Sequence, residues 1–100
     1  MSIDNQTNDV IRMVFLEKSP YGPNEFLFPP LQKTTFHDVE GSASRDGCSY
    51  TGINEDQVMI HSTTGRKLRK EIWNVGNWDC KGSFRLGWEK TFVVTEDDFE

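Results

Sequence analysis

The sequence predicts a mainly β protein, a small antiparallel β-sandwich or barrel of six or seven strands. Three observations carry that expectation. First, the segment Phe84–Thr95 alternates. Phe84, Leu86, Trp88, Phe92 and Val94 share one parity, and Arg85, Gly87, Glu89, Thr91, Val93 and Thr95 share the other. Successive side chains of a strand point to opposite faces, so one face is apolar and the other mostly polar. Second, the other apolar runs are short and are separated by Gly, Pro, Asn and Asp, the residues that turn a chain. Third, no long amphipathic helix is visible, and the window 66–75 has the wrong spacing and is followed by Gly76. The alternative is an α+β fold with one short helix near the N-terminus.

Residues 1–9 are polar and are expected to form a flexible N-terminal arm. Residues 10–95 make the single globular β domain, and residues 96–100 an acidic tail. Within the domain, Val10–Glu17 is short, apolar and β-branched at its start, which suits a strand. Lys18–Asn24 holds two prolines and a glycine, which rules out regular structure. Glu25–Phe28 is a short extended piece, stopped by Pro29-Pro30 because neither proline donates to a ladder. Gln32–Glu40 alternates weakly. Gly41–Gly47 is a loop, with Asp46-Gly47 as its turn signal. Cys48–Ile53 and Gln57–Ser62 read as strands around Asn54-Glu55-Asp56. Thr63-Thr64-Gly65-Arg66 is a hairpin turn in which Gly65 is free to take positive φ. It leads into a strand over Leu68–Val75. Gly76-Asn77 and Asp79–Ser83 punctuate before the alternating segment. Lys90 breaks that segment's parity on the apolar side. A buried lysine needs a partner, so the strand is expected to bend, bulge or reach the sheet edge beyond Trp88.

Composition narrows the function classes. The chain has 100 residues, enough for one domain with a modest core. Only 35% of residues are hydrophobic, but 12% are aromatic, and aromatics bury much area per residue, so a folded domain is expected rather than disorder. The net charge of −5 opposes sequence-independent DNA binding, which depends on Lys and Arg neutralising phosphates. No apolar run approaches the ~20 residues that span a bilayer. Met1–Asp9 lacks the basic start of a secretory leader. The expectation is a cytoplasmic protein with no membrane partner; Cys48 and Cys80 are expected reduced in that compartment, with a disulfide between neighbours across a sheet as the alternative.

No motif identifies a reaction. Cys48, Ser44, Ser49, Ser62, His37, His61 and many carboxylates are present, but a nucleophile needs a base and an orienter in reach, and no spacing brings these together. Gly47-Cys48-Ser49 lacks the strand–turn–helix setting of a nucleophile elbow. Cys48 and His61 lie thirteen residues apart, unlike paired zinc ligands, so no metal and no cofactor are expected. The glycines are scattered singly and form no phosphate loop.

Two clusters remain. Arg66, Lys67, Arg69 and Lys70 hold four of the eleven positive charges, near Trp73 and Trp78. Basic residues beside aromatics can bind single-stranded nucleic acid. The plainer readings are a solvated hairpin that discourages edge pairing, or self-pairing with the acidic tail. Trp73, Trp78 and Tyr21 are candidate aromatic anchors for a protein partner, with Glu55, Asp56, Glu96, Asp97 and Asp98 supplying charge steering. The leading expectation is a small non-enzymatic binding protein of the inhibitor, immunity or anti-defence type that occupies a partner's surface. The partner would be a protein, basic if the acids steer it. The alternative is a nucleic-acid or anionic-ligand module using residues 66–70. A third reading is a small β-barrel enzyme or ligand-binding protein.

Overall fold

The structure is a computed structural model, and it describes residues 1–16, 25–36, 48, 53, 58–83, 85 and 87–100. Its fold is mainly β, with two sheets that suit a small β-sandwich. Among the described residues the strands are β1 (Ser2–Asn5), β2 (Ile11–Phe15), β3 (Glu25–Phe28), β4 (Gln32–Thr35), β5 (Val58–Ser62), β6 (Asp79–Ser83) and β7 (Gly87–Val94). The four-stranded sheet runs β4-β1-β7-β6 and the three-stranded sheet β3-β2-β5. All neighbouring pairs are antiparallel except β1 with β7, which run parallel with Ile3 opposite Phe92 and Asn5 opposite Val94. The first sheet is therefore mixed.

The core forms where the inner faces meet. The four-stranded sheet contributes Ile3, Phe92 and Val94, and the three-stranded sheet Ile11, Met13, Phe28 and Val58. Ile53, Ile72, Trp78 and Phe99 enter from the connections. The rings of Phe26, Phe28 and Phe36 lie 5.6–6.5 Å apart, and Trp78 packs 5.2 Å from Phe92, so few but large side chains fill the interior.

Several expectations need correction. Residues 1–9 are not a flexible arm: Ser2–Asn5 is an interior strand, and Ile3, Asn5 and Thr7 are fully buried. The reason is that its polar side chains find partners, Asn5 inside the fold and Ser2 across the sheet on β4. Ser2 Oγ lies 2.9 Å from Thr35 Oγ1. Asn5 Nδ2 donates to the carbonyls of Asp9 (2.7 Å), Phe28 (3.1 Å) and Pro29 (3.1 Å). Asn5 Oδ1 accepts from Thr7 N and Thr7 Oγ1. Residues 96–100 are not a loose tail either. Glu96–Asp98 makes a 3-10 turn, and Phe99 is buried and bridges to Leu68.

Asp79–Ser83, expected as punctuation, is an edge-side strand of β7. It pairs antiparallel with β7, Ser83 opposite Gly87, so the alternating segment is a hairpin arm from Gly87 onward. Gly82 makes that hairpin possible, because at φ +122 it packs so close to the Gly87 carbonyl that a β-carbon would overlap it. Lys90 causes no bend. It is 4% exposed, in register opposite Cys80, on a strand flanked on both sides. Leu68–Val75 is not a strand: it crosses the sandwich through turns at 71–74 and 75–77 while Ile72 plugs the core. Cys48 and Cys80 form a disulfide with their Cα atoms 5.8 Å apart, where reduced thiols were expected. The hairpin turn at 63–66 is as expected, with Gly65 at φ +90 and Ser62 N bonded to the Arg66 carbonyl. The expected strand over Cys48–Ile53 and the loop over Gly41–Gly47 lie outside the described residues, apart from Cys48 and Ile53.

Candidate functional site

The structure resolves the basic cluster by pairing it with the tail. Arg66 Nε and NH2 donate to Asp9 Oδ2 at 3.0 and 2.6 Å, and NH1 donates to Glu96 Oε2 at 2.8 Å. Its guanidinium also sits 4.3 Å from the centre of the Phe99 ring. Thr64 Oγ1 donates to Asp9, and the Asn8 amide donates to Glu96. The β1–β2 loop, the hairpin turn and the C-terminal turn thus meet on one side chain. Hydrogen bonds from Arg66, and then from Thr64, hold the Asp9 carboxyl below its ordinary value. Glu96 is held low by Arg66 first and the Asn8 amide second.

The other cations are placed differently. Arg69 NH2 donates to the Asp97 carbonyl at 2.6 Å. Lys70 is half-buried, with Nζ donating to the Val93 carbonyl at 2.7 Å and lying 4.9 Å from the Phe92 ring centre. Lys67 is exposed. Binding energy for a phosphate backbone depends on cations free to displace counterions. Arg66, Arg69 and Lys70 already serve the fold, and Asp98 is tied to the Thr95 amide. An open cleft of about 520 Å³ lies between these elements, lined by Arg69, Lys70, Glu71, Asp97 and Asp98 among others. Most of its polar groups are engaged with neighbouring backbone.

The aromatic anchors fare unevenly. Trp78 is 7% exposed and its Nε1 donates to the Ile72 carbonyl at 2.6 Å, so it is a core residue and not a surface anchor. Trp73 is half-buried and packs against the core. Tyr21, Glu55 and Asp56 lie outside the described residues, as do His37, Ser44 and Ser49. Cys48 is in the disulfide and carries no free thiol. Ser62 Oγ is fully committed beside Thr64 and the Arg66 amide. Trp88 Nε1 is buried without a hydrogen-bond partner among the described residues, next to a hollow of about 290 Å³ at the β6–β7 hairpin.

A surface that sequence reasoning missed lies on the outer face of β3-β2-β5. Register puts Leu27, Arg12 and His61 in one row, and Glu25, Val14 and Met59 in the next. Leu16 follows with the same parity as Val14. Leu27, Met59 and Leu16 are 54, 52 and 54% exposed. Arg12 and Glu25 form an ion pair across it at 2.9 Å. The outer face of the other sheet is different in kind. It carries Ser2, Asp4, Lys33, Thr35 and Glu89, with Lys33 bonded to Glu89 at 2.8 Å. The signal was present in Ile11–Leu16, where both parities are apolar. One parity fills the core, and the other was left unexplained.

Comparison with protein-family models, with curated proteins and with solved structures gave no match to this chain.

Proposed function

We propose that the protein acts without catalysis, by binding a protein partner through the outer face of β3-β2-β5, in the manner of an inhibitor or antidote. One observation carries this reading. Two of the four exposed large hydrophobic side chains among the described residues, Leu27 and Met59, fall on that face by register, and a third, Leu16, directly follows β2. Exposed apolar side chains gathered on one sheet face are a mark of interaction sites, and Met adapts its shape to the surface it meets. The Arg12–Glu25 pair and His61 give the patch a polar component that fixes orientation. In this reading the partner covers apolar surface, and the acids at Asp9 and Glu96 serve the fold and not steering.

The nucleic-acid reading loses support because three of its four cations are engaged internally. A cytoplasmic setting belongs to the proposal too, and the Cys48–Cys80 disulfide weighs against it, since such bonds persist in oxidising compartments.

Affinity capture from the native cell extract, at low and moderate salt, tests the reading. Wild type is expected to retain a protein that the double variant Leu27→Ser/Met59→Ser does not. Equal retention by both refutes the assignment of the face. Recovery of nucleic acid that is lost at moderate salt supports the alternative.

A further inference from the structure

Leu31 is the residue whose placement neither packing nor backbone preference explains. It stands at φ +58, the one non-glycine residue with positive φ among the described residues. A β-carbon is disfavoured there, and glycine or asparagine meets that backbone at less steric cost. Burial gives no compensation, because Leu31 is 70% exposed, more than Leu16, Leu27 or Met59.

The turn that carries it is built rigidly. Phe28, at its start, is 1% exposed in the core. Pro29 and Pro30 fix φ on the approach. The buried Asn5 side chain holds the carbonyls of Phe28 and Pro29, and the Asn5 backbone pairs with Gln32 immediately after Leu31. Both flanks of the leucine are thus tied to one strand. Strained residues persist where the surroundings over-determine them, and they cluster at functional positions.

We propose that Leu31 is a preformed apolar anchor that inserts into a leucine-sized hydrophobic pocket of a protein partner. The inference rests on the protein-binding reading of the neighbouring sheet and adds a second contact, four residues along the chain from Leu27. A side chain held in its bound position loses little freedom on docking, which favours tight seating in a pocket of matching shape. A fluid bilayer has no such shape to match, and one leucine is too small a lipid anchor. The net charge of −5 opposes anionic lipid and nucleic acid alike.

The test uses the protein recovered by capture, purified and titrated against four forms of the full chain: wild type, Leu31→Gly, Leu31→Met and Leu27→Ser/Met59→Ser. Leu31→Gly is expected to unfold at a denaturant midpoint no lower than wild type, yet to bind at least about 10-fold more weakly. Leu31→Met is expected to bind within about threefold of wild type. Binding of Leu31→Gly equal to wild type, with loss in the double variant, overturns the anchor and leaves the sheet-face reading standing. Equal binding by all four overturns both, as does failure to capture any protein. A lowered midpoint in Leu31→Gly overturns the anchor by giving Leu31 a role in the fold. Retention of wild type but not Leu31→Gly on phosphatidylcholine vesicles overturns it in favour of lipid.

Discussion

Asn5→Asp changes one nitrogen to oxygen at a site with no room for error. The Asn5 amide reaches three main-chain carbonyls, and its oxygen accepts twice from Thr7, all with the residue fully buried. The aspartate keeps the shape and the Thr7 bonds but loses both donors, so three carbonyl oxygens face a fourth oxygen. A buried polar group left unmade costs about 1–3 kcal/mol, and two hydrogens had served the three acceptors, so the sum is about 2–6 kcal/mol at neutral pH. A domain of this size is stable by about 5–15 kcal/mol. The variant is therefore expected to be marginal or unfolded. The introduced carboxyl, desolvated and ringed by acceptors, would titrate above its unfolded value of about 3.9. Its destabilisation relative to wild type is then smallest below that value and grows as pH rises towards the folded pKa. Urea denaturation of both proteins at several pH values, followed by tryptophan fluorescence, reads the difference directly. A difference under about 1 kcal/mol at neutral pH, or one that does not change with pH, would refute the account of Asn5 as the clamp of the β3–β4 turn.

Three further outcomes follow from the geometry. Gly82→Ala should cost about 1–3 kcal/mol from its φ alone, and more from overlap with the Gly87 carbonyl, whereas Gly65→Ala meets open space and should cost only the φ term; paired denaturation curves compare them. Asp9 and Glu96 are held below their ordinary values of 3.8 and 4.5, so their contribution is present above those values and is lost as pH falls through the lowered folded ones. Thermal melts below about pH 5 should therefore drop more steeply for wild type than for Arg66→Gln. Reduction of Cys48–Cys80, or Cys48→Ser/Cys80→Ser, opens a link 32 residues apart in sequence and should cost about 3–4 kcal/mol on the chain-entropy account, measured as a shift in urea midpoint with and without dithiothreitol.

Parity made β7 legible, since Trp88, Phe92 and Val94 announce an inner face before any coordinates are known. The same rule placed Lys90 on the inner side, where it is buried, but the bend or sheet edge expected from its charge does not follow, because parity reports direction and not what a buried ammonium meets. β1 was illegible for a different reason. Ile3 is its one large apolar residue, and its burial depends on Thr34 and Phe92, far away in sequence. Its polar residues read as solvated because the carbonyls that satisfy Asn5 come from the β3–β4 turn. β6 was hidden likewise, its Asp-Cys-Lys-Gly-Ser composition resembling a turn until the disulfide and β7 place it. Of the site, the Arg66–Glu96 pairing was foreseen as one option for the basic cluster. The outer face of β3-β2-β5 was visible only as an excess of apolar residues in Ile11–Leu16. Leu31 gave no signal, because its left-handed backbone is imposed by contacts on either side.

The parallel pairing of β1 with β7 has a bearing on how the protein comes to exist during translation. Ile3 leaves the ribosome well before its partner Phe92, which lies far along the chain. Until then β1 can lean only on β4, with one side of its ladder open. Between the emergence of β1 and that of β7 a nascent chain of this topology carries an unpaired strand margin, the kind of exposure that chaperones recognise and that slows folding. Ser2, Asp4 and Asn5 soften that exposure, since a strand with a single isoleucine offers little for another chain to grip.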